Sequence, residues 1–72
     1  MVISVSGKYL STVKGTSKSG KPYIFAKILV GDSVLNLFDA DFSHLNPLDD
    51  VTFRCRLFVD YSKKSLTFRF VD

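Results

Sequence analysis

The sequence predicts an all-β domain, a small five-stranded barrel with a short helical turn between strands three and four. Apolar and polar residues alternate along strands two, four and five, which is the pattern of half-buried strands. Clusters of Gly, Ser, Asp and Pro separate the strands, as turns require. The chain has 72 residues, so we expect a single domain covering residues 1–72.

The first two strands and their connection follow from local composition. Strand one is predicted in two parts, Val2–Val5 and Lys8–Lys14, because Gly7 interrupts it as a bulge or sharp bend would. Gly15–Lys21 is rich in Gly, Ser and Lys, which indicates a hairpin connection. Pro22–Val30 is the second strand, and its proline stands at the first position, where a strand tolerates it.

The third strand is short, and the segment after it breaks the strand pattern. A tight turn at Gly31–Ser33 precedes the strand Val34–Phe38. In the following segment, Asp39–Pro47, the alternation is lost. Asp41 is a suitable cap for a single helical turn there, and the proline would end that turn.

Strands four and five complete the predicted barrel. Val51–Tyr61 carries apolar side chains at every odd-numbered position, and Leu66–Val71 is expected to direct Leu66, Phe68 and Phe70 inward. This order of elements is that of the OB-fold, which has three strands, a helical turn and two more strands, and whose first strand is bent. This Greek-key barrel commonly binds oligonucleotides. An SH3-like barrel is the alternative, and the helical segment favours the OB-type barrel.

Composition argues against a catalytic or metal-binding protein. Cys55 is the only cysteine and His44 the only histidine, so no internal disulfide or cysteine-built zinc site is available. We therefore expect no enzyme activity, no cofactor, no metal and no small-molecule substrate. The apolar runs are too short to span a membrane, and we find no secretion signal. A single cysteine favours a reducing, cytoplasmic setting.

The charges are unevenly distributed along the chain, although the net charge is only +3. Residues 1–30 contain five lysines and no acidic residue, whereas residues 31–50 contain five aspartates and no Lys or Arg. The last third is again net positive. A fold that joins the first and last thirds would have a basic face that steers a polyanion.

Two sets of outward residues combine aromatic rings with cations. Tyr23, Phe25 and Lys27 share one face of strand two, beside the lysine-rich hairpin. Phe58 points outward from strand four, together with two arginines. Rings stack on bases and cations neutralise phosphates, so this pattern predicts binding of single-stranded nucleic acid. The predicted stacking residues are Tyr23, Phe25 and Phe58, and the predicted phosphate-binding residues are Lys14, Lys18, Lys21, Lys27, Arg54, Arg56 and Arg69.

The segment Gly15–Phe25 resembles the DNA-binding hairpin of the single-stranded-DNA-binding proteins of filamentous bacteriophages, the gene V protein family. The sequence Gly20-Lys21-Pro22-Tyr23 matches a step of that hairpin, and Lys18 stands where the family has a basic residue. The resemblance implies that Lys18, Lys21 and Tyr23 contact DNA. It also implies a homodimer that coats single strands cooperatively and without strict sequence preference, in a replication or packaging role in the cytoplasm of a bacterial host.

Other classes of partner fit the same residues. An RNA-binding OB-type or SH3-like module would use the same rings, because the sequence has no feature that recognises a 2′-hydroxyl group. A protein-interaction barrel would dock a partner on the outward aromatics. A homodimer is also expected from the residues themselves, because strand three is apolar on both faces and the chain is short.

Overall fold

Five strands form the protein, and a computed structural model describes residues 1–71 of the chain. The strands are β1 (Val2–Thr16), β2 (Pro22–Val30), β3 (Ser33–Phe38), β4 (Asp50–Asp60) and β5 (Ser65–Val71). The two predicted parts of the first strand are therefore one continuous strand. Nowhere in residues 1–71 is there a helix long and apolar enough to cross a membrane.

The strands close into a barrel in the order β1-β2-β3-β5-β4, with β4 pairing back onto β1. This confirms the all-β barrel that the alternation predicts. The first half of β1 pairs with β4 and the second half with β2, which is why this strand is the longest. The β3–β5 pairing is parallel and covers only Leu37 opposite Phe68 and Phe38 opposite Arg69. The other four pairings are antiparallel.

The bulge in β1 lies at Leu10, and its prediction at Gly7 is wrong. Tyr9 pairs with Ile28, but the next partner of β2 is Ser11, which leaves Leu10 as the extra residue. Gly7 instead marks a close approach of strands. A Cβ atom at Gly7 would lie 2.5 Å from the carbonyl oxygen of Leu29 and 2.9 Å from Cγ2 of Ile28. Only a residue without a side chain fits there without displacing β2.

The core lies inside the barrel and is small. Its buried members are Tyr9, Ala26, Ile28, Leu37, Ala40, Phe53 and Cys55. Cys55 is fully buried on the inward face of β4, which confirms the prediction that it is a core residue. The Tyr9 hydroxyl shares a hydrogen bond of 2.7 Å with Oγ1 of Thr12, and residues 1–71 contain no buried side-chain polar atom without a partner.

The connection between β3 and β4 consists of turns, and the predicted helical turn is not seen among the described residues. Asp41 accepts hydrogen bonds from the backbone N–H of Ser43 (3.1 Å) and from its hydroxyl (2.6 Å). One local hydrogen bond, from Leu45 N–H to the Phe42 carbonyl (2.9 Å), closes a single turn. Beyond it, Leu48 N–H donates to the Tyr9 carbonyl of β1. The positive φ of 72° at Leu48 shows that the chain does not continue as a helix beyond Pro47. The connection therefore consists of separate turns held against β1, without consecutive helical bonds.

The inward pattern of β4 and β5 does not extend to their shared hairpin end. Val59, Tyr61 and Leu66 are exposed, although the alternation predicts that they face the core. Tyr61 is 87% exposed in the turn after β4. The physical reason is that this end of the hairpin reaches past the packed interior, so neither face of it is covered.

Candidate nucleic-acid interface

Four outward side chains form one row across β2, β3, β5 and β4. Phe25 is opposite Phe38, Phe38 is opposite Arg69, and Arg69 is opposite Arg56. Residues directly opposite one another in neighbouring strands share a face of the sheet. Tyr23 and Phe58 extend the row at two corners. We call the surface made by Tyr23, Phe25, Phe38, Arg56, Phe58 and Arg69 the aromatic–basic face.

The aromatic end of this face is a set of mutually packed rings. The Tyr23 and Phe25 ring centroids are 6.2 Å apart with planes 17° from parallel, and those of Phe25 and Phe38 are 5.2 Å apart. Tyr23 also lies over Gly15, because a Cβ atom there would overlap its phenol ring. These contacts fix the ring, yet Tyr23 remains 43% exposed. A flat and pre-positioned ring surface is therefore open to a ligand.

The basic end is built around Arg69. Its guanidinium carbon lies 6.0 Å from the centroid of the Phe58 ring, and its Nη1 donates a hydrogen bond of 2.7 Å to Oδ2 of Asp39. Phe58 is 45% exposed. Beside these residues is a cleft of about 370 Å³, which Arg56 also lines. Arg54 lies two residues before Arg56 on the same face of β4.

A second cleft, of about 340 Å³, adjoins the aromatic end. Lys14, Gly15, Tyr23 and Asp39 are among the residues that line it. Asp39 lines both clefts and so lies between the exposed rings of Tyr23 and Phe58. The Lys14 ammonium lies 3.5 Å from Oδ2 of Asp41.

The β1–β2 connection presents two of the predicted phosphate-binding residues. Ser17 closes it by donating its N–H to the carbonyl of Lys21 (2.8 Å) and accepting the N–H of Gly20 at its own carbonyl (2.9 Å). Gly20 has a φ of 84°, which a residue with a side chain rarely adopts. Lys18 and Lys21 are exposed in this connection, and Lys27 is half-buried on β2, two residues beyond Phe25 on the same face.

The cations of the protein fall into two groups. Three form ion pairs: Lys8 with Asp50 (2.8 Å), Lys14 with Asp41 (3.5 Å) and Arg69 with Asp39 (2.7 Å). In the part of the chain that the structure describes, no carboxylate pairs with the other predicted phosphate-binding residues, which are Lys18, Lys21, Lys27, Arg54 and Arg56. These five, and Lys63 and Lys64, which also lack a carboxylate partner among the described residues, can meet phosphates without first leaving a partner.

Hydrogen bonds keep several carboxylates ionised. The hydroxyl and N–H of Ser43, with a smaller contribution from Lys14, hold the pKa of Asp41 below its ordinary value. Lys8 likewise lowers the pKa of Asp50, through its hydrogen bond and its positive charge. Both residues are thus acidic counter-charges at neutral pH, and each lies beside a lysine.

The other chemically active side chains do not assemble into a site. Burial raises the pKa of the Cys55 thiol, so it is a poor nucleophile. His44 is exposed, with its ring edge-on to Phe42 at 6.5 Å. Among residues 1–71, no group of three or more His, Cys, Asp or Glu side chains is placed to hold a metal ion.

Two residues of the site are missed by sequence reasoning, Phe38 and Asp39. Sequence alternation places Phe38 on the same face of the third strand as Val34 but gives it no partner. The tight turn at residues 31–33 could have supplied one, because it fixes the β2–β3 register and brings Phe38 opposite Phe25. Asp39 has no such signal, because its pairing with Arg69 depends on the parallel contact between β3 and β5.

Searches with this chain found no matching protein-family model, no matching curated protein and no matching solved structure. A functional assignment must therefore come from the chemistry of the aromatic–basic face.

Proposed function

We propose that this protein binds single-stranded DNA on its aromatic–basic face and coats it largely without sequence specificity during replication. The observation that carries the proposal is the row of Phe25, Phe38, Arg69 and Arg56, with an exposed ring at Tyr23 and another at Phe58. Tyr23 and Phe58 are exposed rings that each lie beside a cation, and an apolar surface bordered by polar groups in this way is typical of a binding site. Rings with neighbouring cations are the combination that single strands require.

We propose further that the barrel is of the OB-type. Its strand order and the position of the aromatic–basic face support this. In OB-type barrels the face of strands two and three binds oligonucleotides, flanked by the loops between strands one and two and between strands four and five. Here Tyr23, Phe25 and Phe38 lie on β2 and β3. The lysines of residues 17–21 and of residues 62–64 lie in the two flanking connections.

The roles of the individual residues follow from exposure and pairing. Tyr23 and Phe58 stack on bases directly, and the half-buried Phe25 packs beside Tyr23 and extends its ring surface. Lys18, Lys21, Lys27, Arg54 and Arg56 neutralise phosphates. Lys14 and Arg69 have carboxylate partners, and we assign them a smaller share of the phosphate contacts.

The hairpin supports a closer assignment, to the gene V type of phage protein. The segment Gly15–Phe25 carries the resemblance, and in the fold it places Gly15 beneath Tyr23. On this proposal the protein is a binding protein and not an enzyme. It acts on phage single strands in the cytoplasm of the bacterial host and needs no cofactor.

We also propose a symmetric homodimer. Val34 on the outer face of β3 is 56% exposed and lies opposite Leu29 of β2, which leaves an apolar pair on the surface. The small core gives a single chain limited stability, which a second copy would increase. Sedimentation equilibrium should give the mass of two chains at high concentration, and Val34→Glu should shift the equilibrium to monomer. The mass of one chain at every concentration would contradict the dimer.

The proposed function is tested by fluorescence-anisotropy titration with single-stranded DNA, RNA of the same sequence and duplex DNA. We expect tight binding to the single-stranded DNA and weak binding to the duplex, in which the bases cannot reach the rings. Equal binding to the RNA would mean that the 2′-hydroxyl group is ignored. Absence of binding to every nucleic acid would refute the proposal.

A further inference from the structure

The carboxylate of Asp39 lies in the middle of the proposed DNA-binding surface, where phosphate binding does not account for a negative charge. Asp39 follows β3 directly and donates its N–H to the carbonyl of Ile24 (3.0 Å). Its φ of 64° is a conformation that Asp and Asn tolerate better than most residues. The side chain is more than half exposed and lines both clefts. The carboxylate repels phosphate, so this position favours a base over a phosphate.

The hydrogen-bonding groups at this position have a defined order. Oδ2 of Asp39 accepts the Nη1 hydrogen bond of Arg69, and in residues 1–71 Oδ1 has no hydrogen-bond partner. The guanidinium has five N–H donors in a fixed plane, so others remain beside the carboxylate. The pair therefore offers two adjacent acceptors followed by a donor.

We propose that Asp39 and Arg69 together read the Watson–Crick edge of a guanine base. This inference rests on the proposed function, because it requires a single strand on the aromatic–basic face. Guanine presents two adjacent donors, the N2 and N1 hydrogens, followed by the O6 acceptor. The two donors fit the two carboxylate oxygens of Asp39, and O6 fits a guanidinium N–H of Arg69.

No other standard base has this order. Adenine presents one donor and one acceptor, cytosine one donor followed by two acceptors, and thymine a donor between two acceptors. Each of them leaves a carboxylate oxygen unpaired or places a carbonyl oxygen against it, which costs binding free energy. Tyr23 lines one cleft with Asp39, and Phe58 lines the other with both Asp39 and Arg69, so a ring for stacking lies on either side of the pair.

Anisotropy titrations with oligothymidylates that carry one central guanine, inosine, adenine, cytosine or thymine test this inference. The guanine oligonucleotide should bind about fivefold to tenfold tighter than all-thymine, the lower end for a bidentate base contact because the pair is half exposed. Inosine lacks the 2-amino group and should lose most of that advantage. Equal binding of guanine, inosine and adenine would overturn the inference and attribute any purine preference to stacking.

Substitutions of Asp39 and Arg69 separate the guanine preference from the overall affinity for single strands. Asp39→Asn keeps a residue that tolerates the backbone conformation but removes one acceptor and the charge. It should abolish the guanine preference and tighten binding to all-thymine. Asp41→Asn is the matched control, since it removes a charge beside Lys14 and should leave the guanine preference intact. Arg69→Lys retains the charge without the planar fork and should also reduce the preference.

The outcomes separate this inference from the proposed function. If wild-type protein binds all the oligonucleotides with one affinity, single-strand binding stands and base reading by Asp39 and Arg69 fails. A guanine preference that persists in Asp39→Asn also overturns it. If none of the oligonucleotides binds, the proposed function itself fails.

Discussion

Removing the Tyr23 ring is the most direct test of stacking on the aromatic–basic face. A base stacked on an aromatic ring contributes about 1–3 kcal/mol. Tyr23 is 43% exposed, because Gly15 and Phe25 cover the rest. We therefore expect Tyr23→Ala to cost about 1–2 kcal/mol of binding, the lower part of that range, or roughly a fivefold to thirtyfold rise in Kd. Tyr23→Phe should bind almost as wild type, because the ring remains.

Gly15→Ala tests the position of the same ring without removing it. The new methyl group would overlap the phenol ring of Tyr23, so the ring must move off the face. Gly15 lies in β1 and has no positive φ, so the substitution causes no backbone strain. We expect a loss of affinity smaller than that of Tyr23→Ala, with little change in Tm.

Anisotropy with a fluorescent oligothymidylate measures each Kd, and thermal unfolding followed by circular dichroism checks that each variant is folded. Tyr61→Ala is the matched control, because it truncates a tyrosine that is 87% exposed and lies off the row. It should change Kd by less than about twofold. Wild-type affinity in a folded Tyr23→Ala would refute the stacking role.

Three further predictions concern stability and reactivity. Gly7→Ala should lower the free energy of unfolding by about 1–3 kcal/mol in urea titrations, because its Cβ atom would strike β2, and wild-type stability would contradict the close approach. The Cys55 thiol should resist iodoacetamide at about pH 8 until urea unfolds the chain, because it is buried with a raised pKa, and fast labelling of folded protein would contradict this burial. Hydrogen bonds in the folded chain lower the pKa values of three carboxylates, those of Asp41, Asp50 and Asp60, so these groups stabilise the fold above about pH 4. Tm should therefore fall as the pH drops through their folded pKa values. A constant Tm from about pH 5 to pH 2 would count against those bonds.

Strand identity could be predicted from the sequence because it depends on local alternation. The predicted bounds of β2 are the same as the observed ones, and the observed β4 begins and ends one residue before its predicted bounds. Details that depend on non-local contacts could not be predicted. The β1 bulge lies at Leu10 because the register against β2 changes there, and Gly7 is required by a neighbouring strand and not by a bend. The β3–β4 connection forms separate turns, and Leu48 bonds to Tyr9 of β1, a contact that local composition does not indicate.

The candidate site divides in the same way. Period-two alternation is sufficient to place Tyr23 and Phe25 on one face of β2 and Phe58 on the outside of β4. Their convergence on one surface depends on the barrel closing through β3 and β5, which alternation alone does not give. The pairing of Arg69 with Asp39 also joins residues 30 positions apart, so it becomes visible only in the folded chain.

The dependence of affinity on salt tests the central claim most directly. If the five predicted phosphate-binding residues without described carboxylate partners meet phosphates, a plot of log affinity against log salt concentration should have a slope of about −3 to −3.5 for a single strand. Replacing Lys18 or Lys21 by Ala should make the slope shallower by about 0.7 in each case. A flat dependence would show that the aromatic–basic face does not bind a polyanion, and would contradict the proposed function.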